Sequence, residues 1–195
     1  INGDYAAYVL YEDRSDDNQL TINTILESEI SEHVTFNGSL NYKRLSSHNF
    51  AEIIDMLGSN TGYLNVDSFD QVQFDLQNPN LVVGEGDTFR YNYNIEANVL
   101  SGFAQAQFKY NKVDFFIAGS YTDTGYQREG LYQTQTYANN SFGKGRKLSF
   151  GGIGTKGGFT YKFSGKHIFN INAGYISKAP SIRNTFTNSR ENHAI

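Results

Sequence analysis

The chain has 195 residues, a formal net charge of -4, no Cys, no Trp and two Pro, against 19 Gly, 14 Tyr and 15 Phe. Without Cys there is no disulfide framework, thiolate zinc site, iron–sulfur cluster or Cys nucleophile. Mean hydropathy is -0.51, and no run approaches the ~18 consecutive apolar residues of a spanning helix, which excludes α-helical insertion but not a membrane β-barrel, whose strands are only half apolar.

The sequence opens INGDYAAYVL, with neither an initiator Met nor a signal peptide, and reads as a processed or excised segment. Charge divides the chain. Residues 1–100 carry 16 acidic and 4 basic side chains, a net of -12, whereas 101–195 carry 4 and 12, a net of +8. The Lys and Arg of the second half are dispersed among Gly and aromatics, not gathered in a stripe or recognition helix, so no nucleic-acid partner is expected.

In chain order, the first strand falls near 5–13. Asp13, Asp16, Asp17 and Asn18 then read as an acidic turn over 14–19, either solvated or holding a weakly bound calcium ion; EF-hand spacing fails for lack of the turn Gly and the closing Glu. Leu20, Ile22, Thr24, Leu26, Ser28 and Ile30 alternate with polar residues. After Ser31, Glu32 and His33 a second alternating run begins, with Val34, Phe36, Gly38, Leu40 and Tyr42 on one face and Thr35, Asn37, Ser39, Asn41 and Lys43 on the other. This is a hairpin with a short turn. Beyond it, Asn49 reads as the cap of a short helix over 50–57, FAEIIDML, stopped by Gly58 and serving either as an amphipathic lid or as packing for a long loop.

The hairpin unit recurs twice. Ala104, Ala106, Phe108 and Tyr110 oppose Phe103, Gln105, Gln107 and Lys109, and the chain turns at Asn111 and Lys112 into Val113, Phe115, Ile117, Gly119 and Tyr121. Thr155, Gly157, Phe159, Tyr161 and Phe163 oppose Lys156, Gly158, Thr160 and Lys162 before a turn at 164–166 leads into Phe169, Ile171, Ala173 and Tyr175. Seven strands result. Short turns alternate with excursions at 14–19, 45–90, 126–147 and from 177 on, so long loops gather at one end of the sheet, as in outer-membrane barrels.

Tyr42, Tyr121 and Tyr175 each stand eight residues above a short turn, counted from Val34, Val113 and His167. Eight tilted strand residues rise ~20 Å, close to the ~25 Å apolar band that aromatic girdles border, which makes these three the expected lipid-facing girdle. No chemistry-bearing constellation competes. GIGTKG over 152–157 matches G-x-G-x-x-G but lacks the helix and the following acidic residue, and reads as strand glycines. His33, His48, His167 and His193 are expected in two short turns and two long loops at opposite ends of the sheet, so they do not converge on a metal, and nothing in the sequence orders a Ser–His–acid triad through His48 or His193 with a loop Ser. The expectation is no enzyme, no catalytic residue and no cofactor.

The run FGGIGTKGGFTYKFSGKHIFNINAGYISKAPSIRNTFTNSREN, with FAQAQFKYNKVDFF before it, resembles the barrel of TonB-dependent outer-membrane receptors of the Bacteroidetes kind over roughly residues 90–195. Ala179-Pro180, Arg183-Asn184, Phe186 and Arg190-Glu191-Asn192 match the family's strand-to-loop stretch best, with no distinct catalytic role attached to them. The resemblance implies an all-β, antiparallel transmembrane barrel of 22 strands around a plug, located in the outer membrane and taking up a nutrient through the TonB complex, with a surface lipoprotein lid as a further partner. Residues 1–195 would supply about seven of those strands and no plug domain. Asn37, Asn41, Gln105, Gln107 and Lys109 are then the expected lumen-facing side chains and the apolar series meets outer-membrane lipid. Two alternatives remain at this point: a complete eight-stranded outer-membrane barrel acting as anchor, adhesin or enzyme, and a soluble glycan-binding β-sandwich.

Overall fold

A computed structural model describes residues 5–186, 188 and 190–194. The chain folds as an antiparallel meander of six long strands: β1 (Leu10–Ser31), β2 (Val34–Asp55), β5 (Thr88–Lys109), β6 (Val113–Gly130), β8 (Leu148–Ser164) and β9 (His167–Ile176). They pair in the order β1-β2-β5-β6-β8-β9, and the two-residue β7 (Gly143–Lys144) pairs with the end of β6. A separate two-residue ladder joins β3 (Tyr63–Leu64) to β4 (Val82–Val83) within the longest loop. β1 and β9 are the edges, and the sheet does not close on itself.

The sheet has seven strands, but not the expected seven. The strands read near 5–13 and 20–30 are one, because β1 stays in register with β2 without a break from Tyr11↔Ile53 through Glu29↔Thr35. The acidic turn and its calcium option therefore go: Asp13, Asp16 and Asp17 lie in extended backbone opposite Ala51, His48 and Ser47, and alternation sends Asp16 to one face and Asp13 and Asp17 to the other. The helix over 50–57 is also corrected. Residues 50–55 are the top of β2, paired with β1 on one side and through Phe50, Ala51 and Glu52 with β5 on the other. Asn49 caps nothing; its amide donates to the Ser47 carbonyl and hydroxyl, at 3.2 and 2.9 Å. His48, expected in a loop, is consequently a strand residue stacked on Phe50 with ring centroids 4.4 Å apart.

Longer strands leave shorter connections. The loop read over 45–90 contracts to 56–87 and that over 126–147 to 131–147. Both lie at the same end as the 177–194 segment, opposite the three tight turns. There the strand tops bury a small core of Ala51, Ile53, Val83 and Phe89, with Tyr11 and Tyr63 set edge-on to the Phe89 ring. Asp75, almost fully buried, ties two loops together by accepting from the Gln77 and Gln133 amides at 3.1 and 3.0 Å.

Candidate functional site

Paired residues of neighbouring strands point to the same face, so the register sorts every side chain. One face carries Leu20, Ile22 and Leu26 of β1, Phe36, Leu40 and Tyr42 of β2, Leu100, Ala104 and Phe108 of β5, Phe115, Ile117 and Tyr121 of β6, Ile153 and Phe159 of β8, and Ile171 and Tyr175 of β9. This apolar band is bare: Leu40 is 62 % exposed, Ile117 65 % and Tyr175 61 %. A monomeric soluble surface rarely leaves so broad a contiguous apolar area uncovered. This face carries no charge between the tight turns and the three tyrosines: residues 18–26, 34–42, 97–108, 115–122 and 168–176 contain no Asp, Glu, Lys or Arg, and Lys156 and Lys162 of β8 pair with Ala118 and Ile168 on the opposite face.

Tyr42, Tyr121 and Tyr175 all lie on this apolar face. The register places them in a staircase. The rung of Tyr42 runs through Leu100 to Asp123, two residues above Tyr121, and the rung of Tyr121 reaches Ile153, two residues above Thr155, the partner of Tyr175. The opposite face is polar. Asn37 pairs directly with Gln105, Thr35 with Gln107, Asn41 with Ser101 and Lys109 with Asp114, so all five side chains singled out as lumen-facing share that face. Near the tight turns, Asp114 of this face also forms a 2.7 Å ion pair with Lys162.

Toward the loop end the polar face is covered. β9 stops after ten residues, where β8 continues upward, and the chain leaves the sheet across Gly152, whose α-carbon side faces the Ser177 carbonyl so closely that a Cβ would lie 2.9 Å from it. The segment then runs over the polar face, accepting at the Pro180 carbonyl from the Tyr126 hydroxyl at 3.1 Å and at the Arg190 carbonyl from Thr134 at 3.2 Å. Between this segment and the strands lies a cavity of about 600 Å³ lined by Asp17, Ser47 and Asn49, by Tyr93 and Arg128, and by Arg183, Phe186 and Asn188 of the segment.

Arg128 organises the cavity floor. Its guanidinium sits 4.7 Å above the Tyr93 ring and donates to the Asn192 Oδ1 at 2.6 Å and the Ser141 carbonyl at 3.2 Å, joining β6, the 131–147 loop and the 177–194 segment. Burial lowers its pKa to about 10, and the same burial raises that of the Tyr93 hydroxyl. Arg183 and Asp17 face the cavity as exposed charges of opposite sign. The site can therefore hold a polar solute by hydrogen bonds and charge, with Phe186 and Tyr93 supplying apolar surface. Among the described residues no group of His, Asp or Glu is arranged to hold a metal ion.

Sequence reasoning named Arg183 and Phe186 only as part of a family-like stretch with no role attached, and it did not single out Ser47, Tyr93 or Arg128. One signal was available: Arg128 is the sole Lys or Arg in 113–143, set among Tyr126, Tyr132 and Tyr137. Nearby, the Tyr132 hydroxyl donates to the Thr88 carbonyl at 2.7 Å, and burial, reinforced by Asp75 and Asp87, raises its pKa to about 12. The folded chain thus holds this proton where the unfolded chain releases it near pH 10, so the associated stability is complete below pH ~10 and is lost as pH rises from 10 to 12. Urea titrations across that window are expected to show Tyr132→Phe reducing the alkaline loss by about one proton's worth of slope.

Neither a protein-family model, a curated protein nor a solved structure matches the chain.

Proposed function

We propose that the chain is part of the wall of an outer-membrane β-barrel in a receptor for TonB-dependent nutrient uptake, with the cavity at Arg128 and Arg183 on its solute-facing side. The observation that carries this reading is the uncharged, exposed apolar band on one face of a sheet whose other face is polar, the pattern lipid and a wet interior impose on a barrel wall. The tyrosine staircase supports it quantitatively. Setting Tyr42, Tyr121 and Tyr175 at one height requires a stagger of one residue per strand, and ~3.3 Å of rise against ~4.8 Å of strand spacing is a tilt of about 35°, within the range of outer-membrane barrels.

In this reading Asn37, Asn41, Gln105, Gln107 and Lys109 wet the lumen or touch a plug, and the loops capture the solute. Displacement of that plug by the TonB complex would drive uptake, and a surface lipoprotein would dock on the loop end. The chain takes part by binding, without covalent chemistry. Two features favour a larger barrel over the alternatives. β9, with 10 residues, cannot cover the 22-residue edge of β1, so these strands do not close as a small barrel by themselves. Among the described residues, no second sheet packs on the apolar face as a β-sandwich requires.

The test is the mass and location of the native protein, followed with an antibody against residues 56–87. A species several times 21.9 kDa in a separated outer-membrane fraction is expected. A membrane species near that mass would favour a small barrel, and a soluble one would defeat the membrane reading.

A further inference from the structure

β1 presents 22 residues of unpaired backbone edge, and every side chain on it except Arg14 is exposed. Such an edge calls for a strand, because its N–H and C=O groups have no partner on that side. Its charge is uneven. Over 10–19 it carries Glu12, Asp13, Asp16 and Asp17 against the single Arg14. That cation is already engaged by Glu52 at 2.7 Å, Asp16 at 3.2 Å and Glu12 at 3.5 Å. Nor does the paired neighbour supply more. Opposite these residues β2 places Glu52, Ala51, Phe50, Asn49, His48 and Ser47, which add a further carboxylate and no Lys or Arg. Asp17 accepts from the Ser15 hydroxyl at 3.4 Å and faces Arg183 across the cavity.

Like charges directly opposite one another across a ladder are destabilising, and opposite charges stabilise. We propose that the edge of β1 is completed by a basic strand of the same barrel, antiparallel to β1, with Lys or Arg facing 12–17 and an uncharged stretch facing 18–26. This rests on the barrel reading. A second copy of the chain does not fit: β9 has no Lys or Arg, and β1 itself has six carboxylates with one Arg.

Charge reversal at Asp17 separates the possibilities by sign. Arg183, across the cavity from Asp17, would itself repel a Lys there, so the reversal is made in an Arg183→Gln background: within the chain alone Asp17→Lys then relieves repulsion from Asp13 on the same face and raises stability, whereas against a basic neighbouring strand it puts like charges opposite one another and lowers it. The experiment is the heat-dependent gel mobility of the intact protein in isolated outer membranes, for wild type, for Arg183→Gln, and for Asp17→Lys and Asp17→Asn each combined with Arg183→Gln, the midpoints of the double variants being compared with that of Arg183→Gln. The expected result is a midpoint several degrees lower for Asp17→Lys and a smaller drop for Asp17→Asn. An unchanged or raised midpoint for Asp17→Lys overturns the basic strand while leaving the barrel standing. A wild-type protein whose mobility does not change on heating overturns the barrel reading and this proposal with it.

Discussion

On the proposed barrel reading, Ile117→Arg is expected to destabilise the folded protein by about 2–4 kcal/mol, the cost of a charge placed at the bilayer midplane on a barrel's lipid face. Ile117 stands four residues above the turn-proximal Val113 and four below Tyr121, halfway up the band. Its rung neighbours Ala106 and Gly157 offer no polar atom beyond their backbone for a guanidinium to reach. Gln105→Arg tests the sidedness. Gln105 pairs with Ala118, one residue from Ile117, but points to the opposite face, where an added charge remains in water and the change is expected to stay under ~1 kcal/mol. Urea titrations of the two variants in lipid vesicles give both numbers. Equal costs would mean that the faces do not differ in environment.

Gly130→Val is the second large effect, with an expected loss of about 3 kcal/mol or more confined to the loop end. A Cβ at Gly130 would overlap the Ser141 carbonyl oxygen and lie 3.0 Å from Arg128 Nη1. Backbone, not a flexible side-chain tip, stands in the way, so the 131–147 loop must lift away. It would take with it the Ser141 carbonyl that accepts from Arg128 and the Ser141 hydroxyl that accepts from the Thr134 amide at 2.9 Å. Limited proteolysis is expected to cut the variant within 131–147 while the paired strands stay protected. A cleavage pattern identical to the wild type would show that this close approach does not hold the loop.

The parts of the fold legible in the sequence are those where one environment acts along a whole strand. Over 34–42 and 104–109 alternation is uninterrupted because one face is apolar and the other polar, and the register follows it. Over 10–19 the side chains are mostly acidic or polar on both faces, so period two disappears and a strand looks like a turn; the long ladder with β2 overrides the weak strand propensity of Asp and Asn. FAEIIDML failed differently. Phe50, Ile53, Ile54 and Leu57 have helical spacing, but Phe50, Ala51 and Ile53 are buried by β1, β5 and the loop core, contacts that local periodicity does not contain.

The cavity was less legible for a related reason. Asp17, Ser47, Tyr93, Arg128 and Arg183 come from β1, β2, β5, β6 and the 177–194 segment. Only the unbroken register of β1, β2, β5 and β6, together with the exit of the chain across Gly152, brings them to one height and face, and neither is contained in local alternation. The equal spacing of the three tyrosines from their turns was legible by counting residues, whereas their two-residue steps across the rungs come from the register between hairpins and were not.

The sheet's relation to lipid is the central claim, and the chain is suited to a direct measurement because it contains no Cys. Single Cys residues placed in turn at positions 34–43 of the intact protein, spin-labelled in outer membranes, report collision with oxygen, which concentrates in lipid, and with a water-soluble nickel complex. The prediction is a period of two, with oxygen access highest at Phe36, Gly38, Leu40 and Tyr42 and nickel access highest at Thr35, Asn37, Ser39 and Asn41. Uniform nickel access along both faces would contradict a membrane-spanning wall.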